Sequence, residues 1–154
     1  MNGFLGAAGR LAQAKLVTPV LIGDIGLIQE KAKDLKISLD AIEIYDPKNY
    51  IMMDEMVEAF VKVRDGKATD VQAREILMDE NYFGTMLVHM KLAHGMVSGA
   101  THSTADTVRP ALKIIKTKPG VQKNLGSVHH GPGGREICIR GLCDQYKPEF
   151  PGPG

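Results

Sequence analysis

Thr18-Pro19-Val20-Leu21-Ile22-Gly23-Asp24 carries the decision on fold class. An apolar run this short, with no alternating polar residues and a closing glycine, suits a strand buried on both faces, as in a parallel sheet. Asp24 is then placed to cap a helix running to about Leu35. The same alternation extends outward in both directions. Ala7 to Leu16 reads as a helix before the strand, and Ala41-Ile42-Glu43-Ile44-Tyr45 reads as a second strand, stopped by Asp46-Pro47. From Tyr50 to Arg64, Met53, Met56, Val57, Phe60 and Val63 keep one apolar face at helical spacing. Thr69-Asp70-Val71-Gln72 has the form of a capping box opening a helix through Leu77. Asn81 to Lys91 reads as helix, and Gly95-Met96-Val97-Ser98-Gly99 as a third strand. A last helix runs through Ile115 with Pro110 in its first turn, where a missing N–H does no harm. Strands alternating with helices predict an α/β chain, a three-layer α/β/α arrangement around a mostly parallel sheet.

Composition narrows the class. The chain has 154 residues, enough for one domain. Nineteen Lys and Arg against eighteen Asp and Glu leave a formal charge of +1, which provides no basic footprint for nucleic acid. Apolar residues make up 44%, ample for a core, and with no Trp, four Tyr and four Phe that core is expected to be aliphatic. No apolar run approaches the roughly 18–20 residues of a membrane span. The first residues lack the basic start and apolar stretch of a secretory signal. Cys138 and Cys143 are too few for a disulfide framework or an unaided zinc site. The expectation is a soluble, cytoplasmic protein with no metal and no membrane or nucleic-acid partner. Residues 129–154 are different: ten of those 26 are Gly or Pro, against fifteen of the preceding 128. Such a stretch is expected to be a tail without regular structure, following a domain over 6–128.

The chemistry concentrates at Ser98-Gly99-Ala100-Thr101-His102-Ser103-Thr104-Ala105-Asp106-Thr107-Val108-Arg109-Pro110. In open α/β sheets, ligands bind beyond the carboxyl ends of the strands. A helix opening there presents free backbone N–H groups and a positive dipole end to an anion. Ser98, Thr101, Ser103, Thr104 and Thr107 add hydroxyls within reach of phosphate oxygens, and Arg109 adds a planar fork for bidentate contact. The spacing matches neither the P-loop nor the dinucleotide fingerprint. Simpler roles compete with each assignment. A Ser or Thr before a helix is usually a cap, Asp106 fits a first-turn cap, and His102 fits a local hydrogen bond as well as an acid–base role. Met52, Met53 and Met56 fit core filling, Arg64 fits a cation complementing a helix end, and Lys113, Lys116 and Lys118 fit a solvated face.

These residues also resemble a known family. Asn81-Tyr82-Phe83-Gly84-Thr85-Met86, His94-Gly95-Met96-Val97-Ser98-Gly99-Ala100, His102 through Leu112, and Ile114-Ile115-Lys116-Thr117-Lys118-Pro119-Gly120 look like phosphate acetyltransferase (phosphotransacetylase). The likeness extends back through Asp46-Pro47-Lys48 and Val63-Arg64 to Gly6-Ala7-Ala8. The resemblance implies two α/β domains with the active site between them, usually in a homodimer. It implies transfer of an acetyl group between coenzyme A and phosphate, forming acetyl phosphate, with acetyl-CoA as substrate and no cofactor. It places Ser98, Ser103, Thr104, Thr107 and Arg109 on the cleft side of the first domain, and makes Arg64 and Arg109 the residues binding phosphate or the coenzyme A end. Acyl transfer needs donors where charge develops on carbonyl and phosphate oxygens, and these residue types supply them.

The chain departs from the family pattern. It has about half the usual length, being an incomplete first domain. The C-terminal Ser-Arg and Asp of the family lie beyond it, so no catalytic residue is assigned and the chain alone is expected to be inactive. Met1-Asn2-Gly3-Phe4-Leu5 stands where the family carries a Glu-Arg pair. Codon arithmetic yields an expectation of out-of-frame ends. Back-translation of Arg135 to Gln145, read one base later, permits a segment like the family's next strand, and Met1 to Phe4, read two bases later, permits Glu-Arg. Phosphate butyryltransferase is the enzymatic alternative. The other is a non-catalytic truncated or regulatory module of the kind malic enzymes carry.

Overall fold

A computed structural model describes residues 2–99, 103–116, 126–131 and 134–139. The chain divides into two units, residues 1–115 and 116–154. In the first, α1 (Asn2–Gln13) leads to β1 (Val20–Ile22), α2 (Ile25–Asp34) and β2 (Glu43–Tyr45), then a 3-10 turn (Pro47–Asn49), α3 (Met53–Val63), α4 (Asp70–Leu77), α5 (Glu80–His89) and α6 (Thr104–Ile114).

Local chemistry explains the boundaries. Asp24 caps α2, its Oδ1 accepting from Leu27 N at 3.0 Å. Asp46, almost buried, accepts from Lys48 N at 2.9 Å and Asn49 Nδ2 at 3.0 Å, which turns the chain sharply out of β2. Thr69 and Gln72 form the reciprocal capping box of α4.

β1 and β2 pair in parallel, with Val20 opposite Glu43, Leu21 opposite Ile44 and Ile22 opposite Tyr45. Successive side chains of a strand leave opposite faces, and here the two faces meet different helices. Leu21 and Ile44 pack on a cluster of Leu5, Ile28 and Ala32 from α1 and α2. Ile22 and Tyr45 pack on a larger cluster built from α3 to α6, with Met53, Met56, Phe60, Leu77, Phe83, Met86 and Ile114 at its centre. A parallel pair lies between two helical layers, as the apolar run at Thr18–Gly23 implies. Met53 and Met56 fill the core.

Two expectations meet a different outcome. Residues 95–99 form no strand: the side chains alternate, Met96 and Ser98 inward and Val97 85% exposed, but no neighbouring strand among the described residues completes a ladder. Alternation alone sets the side chains, whereas a strand also requires a paired backbone. Pro110 is not in the first turn of its helix but is the seventh residue of α6. It leaves the Asp106 carbonyl without an i+4 N–H donor, and its ring is fully buried, so packing outweighs the lost bond. Lys113 is exposed, as a solvated face implies, and its Nζ also lies over the Tyr82 ring, 5.5 Å from the centroid.

In the second unit, β3 (Gly126–Gly131) and β4 (Gly134–Ile139) pair antiparallel. Within 129–154, which the sequence leaves without regular structure, 129–131 and 134–139 therefore stand in a hairpin; the rest of that stretch lies outside the described residues.

Candidate functional site

The site grows from one face of α5. Asn81, Gly84 and Thr85 share that face by their i, i+3, i+4 spacing, and all three are buried. A Cβ on Gly84 would lie 2.9 Å from both Ile22 Cδ1 and Met96 Sδ, so the bare glycine lets these two side-chain ends meet over the helix. Thr85 Oγ1 donates to Asn81 O at 2.6 Å and lies 3.8 Å from Met96 Sδ. One step along, Ser98 Oγ donates to Asn81 Oδ1 at 2.5 Å. Met96 and Ser98, two residues apart, thus dock side by side on α5.

Gly99 follows with φ +109°, a conformation that L side chains rarely adopt, and a Cβ there would stand 3.9 Å from Thr107 Oγ1. The segment therefore ends against the first turn of α6. Ser103 is the N-cap of that helix: its Oγ accepts from Asp106 N at 3.2 Å and donates to Asp106 Oδ2 at 2.6 Å. Thr107 Oγ1 donates to Ser103 O at 3.1 Å. Arg109 reaches Asp106 Oδ1 at 3.3 Å, with 56% of its side chain exposed. Asp106 thus holds both the cap and the guanidinium, in the capping role its position implies. α6 in turn is seated on the larger core by Pro110 and Ile114.

The structure joins Ser103, Thr107 and Arg109 in one network and sets Ser98–Gly99 beside it. Thr104 opens α6, but its side chain lies outside the described residues, as do Thr101 and His102. Arg64 is the C-cap of α3, half-buried, its backbone N–H bonded to Phe60 O, and no described contact links it to the 95–109 segment.

The described hydroxyls bond within the protein, Ser103 in the capping role that the sequence also offers. Each described one gives its single proton to the protein: Ser98 to Asn81, Ser103 to Asp106, Thr107 to the Ser103 carbonyl. Among the described residues, the donors left for an anion are the Arg109 guanidinium, which carries five N–H groups, and the backbone N–H groups of Thr104 and Ala105, which have no intrahelical acceptor, that of Asp106 being taken by Ser103 Oγ. Sequence reading passed over Asn81 as a functional residue. Its signal is a polar side chain on the same helical face as Gly84 and Thr85, where an apolar one would be expected.

Among the described residues, no cluster of three or more His, Cys, Asp and Glu side chains is placed to hold a metal ion. No helix among them is long and apolar enough to cross a membrane.

The chain is similar to known proteins. The family model for phosphate acetyl/butaryl transferase matches residues 2–128. The chain is 58% identical over 122 residues to a phosphate acetyltransferase of Bacillus subtilis, covering 79% of this chain and 38% of that protein. It is 50% identical over 150 residues to a phosphate acetyltransferase of Staphylococcus aureus strain Mu50, covering 97% and 45%. A phosphotransacetylase from Streptococcus pyogenes superposes with a TM-score of 0.79 at 44% identity, covering 89% of this chain and 43% of that one. The chain spans less than half the length of the curated relatives named here. With a family model matched over most of its residues, and relatives at half identity or better, the chain belongs to the phosphate acetyl/butaryl transferase family.

Proposed function

We propose that the chain carries one half of an acyl-transfer site that passes an acetyl group between coenzyme A and phosphate, acetyl-CoA and phosphate giving CoA and acetyl phosphate. The observation that carries this reading is an exposed Arg109 held by Asp106 over the capped first turn of α6, with Ser98–Gly99 alongside. In the reaction, a phosphate oxygen attacks the thioester carbonyl, and negative charge builds on the carbonyl oxygen before the thiolate leaves. Arg109 and the α6 N–H groups offer preorganised positive potential to phosphate oxygens or to that developing charge. Arg64 takes a subsidiary role toward the coenzyme A end. Ser103 and Thr107 shape the turn, and Thr104 contributes its backbone N–H. The relatives named above are acetyltransferases, which favours acetyl over the butyryl alternative. In the whole protein this site faces a second domain, within a homodimer.

Calorimetric titration of the chain with coenzyme A and with phosphate tests the reading. Arg109→Ala should weaken at least one of them by ~1.5–3 kcal/mol, the range of charge-assisted hydrogen bonds, and Arg64→Ala by less. Unchanged affinities in a folded Arg109→Ala chain would reduce Arg109 to a surface residue.

A further inference from the structure

Asn81 is only 2% exposed, and its Nδ2 has no hydrogen-bond partner among the described residues. Native proteins rarely leave a buried donor unpaired. A leucine would fill much the same volume without that penalty, but it would lack Oδ1, which takes the Ser98 proton. Asn81 is also held firmly. Its N–H donates to Asp79 Oδ1 at 2.9 Å, its carbonyl accepts from Thr85 Oγ1, and the absent side chain at Gly84 admits Met96 beside it.

A serine hydroxyl has one proton and two lone pairs. With the proton committed to Asn81, Ser98 presents only lone pairs to anything else, and lone pairs repel an anionic phosphate oxygen. We propose that Asn81 sets the hydrogen-bond polarity of Ser98, making it an acceptor for an N–H donor on the substrate, of the kind carried by the amides of the pantetheine arm of coenzyme A. The inference rests on the acyl-transfer reading and divides its site in two: Arg109 and the α6 N-terminus serve the anionic end, Ser98 the amide-bearing end. Asn81 is a positioning residue that acts through Ser98.

The test uses the full chain with Asn81→Leu, Ser98→Ala and the double variant. The Ser98 hydroxyl is read by NMR from the deuterium-isotope splitting of its Cβ resonance, which is visible only when the hydroxyl proton exchanges slowly. The wild-type chain should show the splitting, and Asn81→Leu should lose it. Calorimetry with coenzyme A should show each single variant about 2–10-fold weaker, as for one neutral hydrogen bond, with no further loss in the double variant. Inorganic phosphate should bind all four chains alike. The inference is overturned if Ser98→Ala weakens phosphate instead of coenzyme A, if the double variant shows the two losses added, or if the wild-type hydroxyl exchanges fast. Should the wild-type chain bind neither ligand, the acyl-transfer reading fails, and the hydroxyl signal alone decides the polarity of Ser98. Should Asn81→Leu not fold, Asn81→Asp keeps the acceptor and removes the unpaired donor. It should retain the splitting and an affinity for coenzyme A within about twofold, less than one hydrogen bond, and loss of both would overturn the inference.

Discussion

The two faces of the β1–β2 pair are backed very unequally. Toward α1 and α2 the buried apolar cluster has three members, Leu5, Ile28 and Ala32. Toward α3 to α6 there are eleven, including Phe60 and Phe83. Every candidate site residue is carried on the second side: Ser98 docks on α5, and Ser103, Thr107 and Arg109 ride on α6. Aromatic packing continues from there to the strand ends, with Tyr50 edge-on to Phe83 at 5.0 Å and Tyr45 5.2 Å from Tyr50. The difference teaches that the α3–α6 cluster is the platform of the site, while the α1–α2 cluster chiefly covers the sheet.

Truncating each side breaks or sharpens that contrast. Phe83→Ala should cost about 3–5 kcal/mol of unfolding free energy in urea, the range for a buried aromatic, and should loosen ligand binding as α5 repacks. Ile28→Ala should fall near the lower end of its own range, about 2 kcal/mol, and leave ligand affinity unchanged. Equal effects of the two on ligand affinity would erase the distinction.

A smaller effect is expected where the two regions meet. A methyl at Gly84 would press on Ile22 and Met96 at once. Gly84→Ala should therefore cost about 1 kcal/mol, the low end of overpacking, because Ile22 Cδ1 and Met96 Sδ are flexible side-chain ends that can shift. A crystal structure of the variant with Met96 and Ile22 unmoved would contradict the close approach.

The smallest expected effect tests the strand end. Tyr45 donates to Glu43 Oε2 at 2.5 Å; that bond, with burial second, pushes its pKa from 10.0 up to about 12. A raised pKa means that the folded chain holds the proton more tightly, so this contribution is complete below pH 10 and is lost between pH 10 and about 12. The melting temperature of Tyr45→Phe should fall less steeply than that of the wild-type chain over that interval. Some decline remains, because burial also raises the pKa of Tyr50. Identical slopes would exclude the Glu43 bond as the cause.

Much of this frame is legible in the residues themselves. Asp24, Asp46 and the Thr69–Gln72 box are local signals, and each works over two or three residues as its chemistry dictates. The apolar run at Val20–Ile22 implies cover on both faces, and both faces are covered. What the residues could not reveal depends on distant partners. Residues 95–99 alternate as a strand does, but pairing needs a neighbour. Pro110 reads as a helix opener because its burial on the core is a tertiary fact. The Ser98 hydroxyl reads as a phosphate donor until Asn81, seventeen residues earlier, is found to accept its proton.

The central claim, that the Ser98–Arg109 segment on its α5–α6 platform receives the substrates, is tested most directly by an NMR titration of the 15N-labelled chain with coenzyme A and phosphate. The largest amide shift changes should fall on residues 97–99 and 103–109 and on Asn81, with α1 and α2 unmoved. Saturable changes centred on α1, α2 or the β3–β4 hairpin, with 97–109 silent, would contradict it.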